Sequence, residues 1–171
     1  AAYVGARHGI GVNSGTSGLH LCMIAAGVGE GDVVLTTPFS FVASANCVLY
    51  ERARPVFVDI DPDTLAIDPG ALETAARRLA AKGERLKAIL PVHVFGHPAD
   101  MDPIATVAAK YGMKIVEDAC EAIVAGYKGR SVGTLGDAAV FAFYPNKQMP
   151  TGAGGMIVTD DDAWDGLCRS L

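Results

Sequence analysis

The run Val140-Phe141-Ala142-Phe143-Tyr144-Pro145-Asn146-Lys147, followed by Thr151-Gly152-Ala153-Gly154-Gly155, reads as a buried strand that ends in a Pro- and Gly-rich turn. Its first residues are continuously apolar, as a strand covered on both faces requires, and its end delivers a single amine. Open α/β sheets place their ligands at such strand ends. Lys147 is therefore a candidate Schiff-base former. Taken alone, a lysine after a strand is usually a solvated loop charge, so the rest of the chain must decide between the two readings.

Working outward, apolar strands alternate with helical patterns. Strands are predicted at 10–12, 33–36, 55–60, 88–94, 114–118, 138–143 and 155–159. Helices are predicted from Ser14 to about Ala26, Phe41 to Glu51, Pro69 to Ala81 and Met101 to Tyr111, with a last one starting near Asp161. Continuously apolar strands separated by helices imply an α/β fold, a mostly parallel seven-stranded central sheet with helices on both faces.

Composition bounds the function. With 171 residues, half of them hydrophobic, the chain can bury one sizeable core and fits one domain better than two. A net charge of −5 argues against a nucleic-acid surface, so any anion site must come from backbone amides or a few placed cations. No apolar stretch reaches membrane-spanning length and no signal peptide is visible. Cys22, Cys47, Cys120 and Cys168 form no CxxC pair and sit in apolar segments, which predicts reduced thiols in a cytoplasmic protein. The chain starts at Ala1 without a Met and stops at Leu171 within a helical pattern, as a fragment would.

Two further motifs carry chemistry. Asn13-Ser14-Gly15-Thr16-Ser17-Gly18 joins a strand to a helix, and exposed amides, close-approach glycines and hydroxyls there make a phosphate cradle, although the same residues serve as an ordinary helix entrance. No lysine follows as in a P-loop, and Ser14 stands where a dinucleotide fingerprint needs its third glycine. The fifth strand ends in Val116-Glu117-Asp118. A carboxylate there is costly unless paired. Facing a pyridine nitrogen, Asp118 would keep that nitrogen protonated; capping a helix or binding a metal are the alternatives. A phosphate cradle, a strand-end Asp and a Lys after the next strand together match the three handles of pyridoxal 5′-phosphate: phosphate, ring nitrogen and aldehyde carbon.

With these residues in place, the chain resembles the DegT/DnrJ/StrS family of sugar aminotransferases, within the fold-type I pyridoxal phosphate enzymes. The resemblance rests on VNSGTSGLHL, TTPFSFVASANCVLY, PVFVDIDPDTLAID, ILPVHVFGHPADMD and IVEDACEAIVAGYKGRSVGTLGDAAVFAFYPNKQMPTGAGGMIVTDD, in the family's order and over nearly the whole chain. It implies that Lys147 bonds the cofactor and that Asp118 pairs with its ring nitrogen. By the same resemblance Gly15, Thr16 and Ser17 hold the phosphate, Phe41 stacks on the ring and Glu121 lies near the phenolic oxygen. It further implies a three-layer α/β/α large domain over 1–171, lacking an N-terminal segment and a smaller C-terminal domain, from an obligate homodimer. The activity implied is transfer of an amino group from glutamate to a keto group on a nucleotide-linked sugar. Ala142 departs from a family Ser that contacts phosphate, and Ala153 from a Glu in the turn. A noncatalytic regulatory or assembly role, a pyridoxamine phosphate-dependent dehydratase (where His replaces the lysine) and a plain nucleotide-binding domain are the competing readings.

Other residues have simpler expectations. His93 and His97 flank a turn rather than share a helix face, which argues against a zinc pair. Asp59, Asp61 and Asp63 point to a strand-ending turn rather than a calcium loop. Lys128 and Arg130 read as a solvated hairpin, and Trp164 as a packing residue.

Overall fold

The structure, a computed structural model, describes residues 1–171. Its strands are β1 (His8–Val12), β2 (Asp32–Thr36), β3 (Arg54–Phe57), β4 (Arg85–Ile89), β5 (Lys114–Asp118), β6 (Gly126–Tyr127), β7 (Arg130–Ser131), β8 (Ala138–Ala142) and β9 (Gly155–Thr159). Its helices are α1 (Gly15–Ala25), α2 (Ala43–Tyr50), α3 (Pro69–Ala80), α4 (Met101–Tyr111) and α5 (Asp162–Ser170). Seven strands form one sheet in the order β1-β9-β8-β5-β4-β2-β3, while β6 and β7 pair separately around Lys128 as the expected hairpin.

Within the seven-stranded sheet only β9 runs against its neighbours: it is antiparallel to both β1 and β8, and every other pairing is parallel. The carboxyl ends of β1, β8, β5, β4 and β2 therefore meet on one edge. The helices cover both faces. One core cluster joins Leu19 and Met23 of α1, Cys47 of α2 and Trp164 of α5 to Val34, Val116 and Val140 of the sheet. A second joins Leu72 and Leu79 of α3 and Ile104 and Val107 of α4 to Leu35, Ile89 and Ile115. The three-layer architecture follows from this, since β2, β5 and β8 carry apolar side chains in both directions.

Local chemistry accounts for the element ends. Asp68 caps α3 by accepting from the Gly70 and Ala71 amides, with Pro69 at the first helical position, where its missing N–H costs nothing. Asp161 caps α5 in the same way. Asp61 accepts from the Asp63 and Thr64 amides and closes a turn, as expected from its sequence. β3 and β4 end earlier than the apolar runs predict. After Ile89 comes Pro91, which has no N–H for the ladder, and the chain leaves the sheet with only a bridge from Val92 to Asp118. Likewise α2 starts at Ala43, leaving Phe41 outside the helix. Cys22, Cys47 and Cys168 are buried and Cys120 half-buried; burial, then the nearby Asp118 charge, pushes the Cys47 thiol up to about 12.

A fully buried carboxylate ties the sheet to its loops. Glu117 Oε1 accepts from the Leu135 and Gly136 amides, both at 2.8 Å, and Oε2 accepts from the Gly133 amide and His93 Nε2, both at 3.0 Å. The other ring nitrogen, His93 Nδ1, accepts from the Ala99 amide at 3.0 Å, so the ring carries its proton on Nε2. Burial by itself pushes the Glu117 carboxyl up, but the His93 hydrogen bond and the Gly133 and Gly136 amides outweigh it and hold the group below its ordinary value of 4.5. Its contribution to stability is thus complete above pH 4.5 and is lost as the pH falls through the lowered value. Glu117→Gln is expected to cost about 3–5 kcal/mol at pH 7, because an amide group would face four donors, and to flatten the loss of stability below pH 4.5. Urea unfolding of both proteins from pH 7 to pH 3 measures this; identical midpoints would overturn the assignment.

Candidate active site

Because the carboxyl ends of five strands share one edge, the segments that leave them line a common cavity of about 820 Å³. Gly15, Thr16, Phe41, Asp118, Glu121 and Lys147 all line it. Six of the seven site residues expected from the sequence are therefore brought together from four different segments. Ser17 faces elsewhere: its hydroxyl donates to Asn13 Oδ1 at 2.5 Å and lies 3.0 Å from Ser14 Oγ, within the helix cap.

Helix α1 supplies the anion-binding wall. Ser14 is its N-cap, accepting from the Ser17 amide at 3.1 Å. The Gly15 and Thr16 amides have no intrahelical acceptor by helix geometry and lie at the cavity wall. A side chain at Gly15 would put a Cβ 2.8 Å from Cys120 Sγ and 2.9 Å from Ala142 Cβ, so glycine is what lets the helix start approach the end of β8. A Cβ at Gly155 would lie 2.8 Å from the Ser14 carbonyl, and this second close approach fixes the cap against β9.

Asp118 forms the floor. It alternates with Glu117 along β5, so the two carboxylates point to opposite faces of the sheet. Asp118 Oδ2 accepts from Ser44 Oγ at 2.6 Å and Oδ1 from the Cys120 amide at 3.2 Å, and no side-chain cation pairs with it although the residue is buried. Ser44 was not legible as a site residue in the sequence; a hydroxyl within an otherwise apolar helix was the available signal. Ser40 lies 2.6 Å from Ser44 and extends the chain of hydroxyls. Burial, reinforced by Asp118, pushes the Cys120 thiol well up, so it faces the cavity as a neutral group.

Lys147 stands opposite. Its Nζ donates to Glu121 Oε1 at 3.0 Å, and its side chain is only 15% exposed. Glu121 Oε2 accepts from the Phe95 amide at 3.1 Å. Burial pushes the Glu121 carboxyl up, but the Lys147 hydrogen bond and the Phe95 amide outweigh it, and the group stays ionised below its ordinary range. Phe95 has a left-handed backbone (φ 51°, ψ 22°), a conformation that costs a non-glycine residue about 1–2 kcal/mol, yet its ring is exposed. Phe39 packs edge-on against it at 5.9 Å. Phe41 and Tyr144 are exposed at the cavity rim, and Ala142 and Ala153 line the cavity with methyl groups.

The site can thus receive an anion at α1, a cation at Asp118 and an electrophilic carbon at Lys147. A family model described as the DegT/DnrJ/EryC1/StrS aminotransferase family matches residues 1–171. The chain is similar to the pleiotropic regulatory protein of Geobacillus stearothermophilus, 48% identical over the whole chain and 45% of that protein. It is similar to the GDP-perosamine synthase of Caulobacter vibrioides, 47% identical over 95% of the chain and 42% of that protein. Among solved structures it matches NtdA of Bacillus subtilis with bound cofactor PMP, at a TM-score of 0.87 and 34% identity over 98% of the chain and 36% of that chain. The chain spans less than half the length of each.

A buried carboxylate without a counter-cation is held at the expense of stability. Asp118→Asn keeps an acceptor for the Cys120 amide and can donate to Ser44, so its stability is expected to stay within about 1 kcal/mol of the parent or to rise. A loss above about 3 kcal/mol in urea unfolding would mean that Asp118 is a structural ion partner instead.

Proposed function

The chain belongs to the DegT/DnrJ/EryC1/StrS aminotransferase family, and from that premise we propose that residues 1–171 are the cofactor-binding large domain of a pyridoxal phosphate-dependent sugar aminotransferase. The reaction proposed moves an amino group from glutamate to a keto sugar linked to a nucleotide. The observation that carries the proposal is the convergence of a free helix start, an unpaired buried carboxylate and one amine on a single cavity.

The residues fit the cofactor. The Gly15 and Thr16 amides with the Thr16 hydroxyl would hold its phosphate, and Asp118, which has two neutral donors and no cation, would receive a protonated ring nitrogen. Ala142 forgoes one hydrogen bond to phosphate, about 1 kcal/mol. Pyridoxal phosphate, when bound, supplies an aldehyde carbon for amines and a protonated ring that takes up the electron pair left by a departing proton.

The protein's own groups do the rest. Asp118 would pair with the ring nitrogen, and Ser44 and the Cys120 amide hold the Asp118 carboxylate in place for it. Lys147 Nζ would take the proton from the donor's α-carbon and return it as general acid. Glu121 orients that amine. The exposure of Phe41, Val42 and Tyr144 supports a homodimer whose partner covers this rim, and the unpaired cysteines agree with a cytoplasmic setting.

The regulatory name of the Geobacillus relative raises a second reading, a noncatalytic one. Retention of both Lys147 and Asp118 favours catalysis, and Lys147 also speaks against the dehydratase relatives with His. Borohydride treatment of the full-length protein with pyridoxal phosphate, followed by peptide mapping, should label Lys147. Label elsewhere would sink the assignment. Lys147→Ala should abolish both label and turnover, and Asp118→Asn should keep the label while slowing turnover by orders of magnitude. A spectrum unmoved by glutamate, with Lys147 labelled, would select the regulatory reading.

A further inference from the structure

Phe95 is exposed, yet its left-handed backbone is held by fasteners on every side. Its amide donates to Glu121, the His97 amide donates to the Val94 carbonyl at 2.9 Å, and Phe39 braces the ring edge-on. A strained and fastened turn that pushes an aromatic ring into solvent is a feature of ligand sites rather than of cores. Phe95 lines both the main cavity and an open side cavity of about 260 Å³, which it shares with Glu121, Asn146, Lys147 and Gln148.

The lining of that side cavity limits what it can hold. Gln148 is spent on structure: its Nε2 donates to the Glu121 carbonyl at 2.5 Å and its Oε1 accepts from the Ile123 amide at 3.2 Å. Asn146 borders both cavities with an amide that can donate and accept. One aromatic face, one amide and one carboxylate suit a saturated ring with an apolar C–H face and hydroxyls at its edge. A nucleobase can stack on the same face, but the ring seated beside the Lys147 amine has to be the one that carries the keto group, which is the hexose. The volume is below the roughly 300–1,000 Å³ of sites for larger ligands, so it suits a single ring. Lys147 borders both cavities, so a ring seated there lies beside the amine.

We propose that Phe95, braced by Phe39, is the platform on which the hexose of the acceptor stacks in this side cavity, with Asn146 binding its hydroxyls. The proposal rests on the reading of Lys147 as the amine that meets the cofactor. Because Glu121 holds both the Phe95 amide and the Lys147 amine, the platform and the reacting amine keep a set separation.

The test uses full-length protein and three probes, UDP-N-acetylglucosamine, GDP-mannose and TDP-glucose, read by saturation-transfer NMR and calorimetry. Saturation is expected on hexose ring protons of at least one probe. Phe95→Leu, which keeps the apolar bulk but not the flat face, and Asn146→Ala should each weaken that probe about tenfold. Borohydride labelling of Lys147 and the molecular mass should not change in either variant. Transfer confined to the nucleobase, no transfer from any probe, or unaltered affinity in both variants would overturn the platform. A fall in mass in Phe95→Leu would overturn it in favour of a second copy covering the ring. Loss of the Lys147 label in the parent protein would instead refute the cofactor reading on which the proposal rests.

Discussion

Two adjacent carboxylates at the end of β5 are treated in opposite ways, and the site depends on the difference. Glu117 is saturated with three amides and an imidazole N–H on one face of the sheet. Asp118, on the other face, has a hydroxyl and one amide, and no cation. The strand pleat makes the first a fastener for the second: a side chain locked below the sheet fixes the direction of its neighbour above it. The same fastener reaches His93, whose amide donates to the Asp118 carbonyl, and so sets the start of the turn that carries Phe95. Polar groups in the interior are thus saturated where they build the scaffold, while Asp118 keeps spare acceptor capacity at the cavity.

Topology does what no local motif can. Lys147 and Gly15 are more than a hundred residues apart, yet β9 lies between β1 and β8 and is antiparallel to both, so β1 and β8 run in the same direction and end on the same edge. The Ser14–Gly154 bridge then closes the gap between the helix cap and the glycine-rich turn. Glycine at 155 is required there by the approach of the Ser14 backbone, so that turn serves packing as well as lining the cavity. Its neighbour Ala153 lines the cavity, and a substitution at 153 changes the cavity wall without touching this contact.

The rim is aromatic and the floor is charged. Phe39, Phe41, Phe95 and Tyr144 surround a cavity whose depth holds Asp118 and the Glu121–Lys147 pair. Apolar walls lower the local dielectric and strengthen the charge contacts beneath them. Exposed rings of this kind are characteristic of surfaces that another molecule covers.

The residue pattern alone specified the alternating α/β order, the strand-end positions of Asp118 and Lys147 and the helix entrance at Ser14, because each depends on period, capping and apolar continuity within a dozen residues. It also carried the family resemblance, which the match over residues 1–171 supports. It overran the ends of β3 and β4 and started α2 two residues early, since an apolar run does not say where the ladder partners stop. Ser44, Phe95 and the Glu117–His93 pair could not be singled out in advance. Their roles depend on atoms contributed by segments from 24 to 74 residues away, and only the packed sheet decides which hydroxyl meets Asp118, which ring is held in solvent and which of two neighbouring carboxylates is left without a cation.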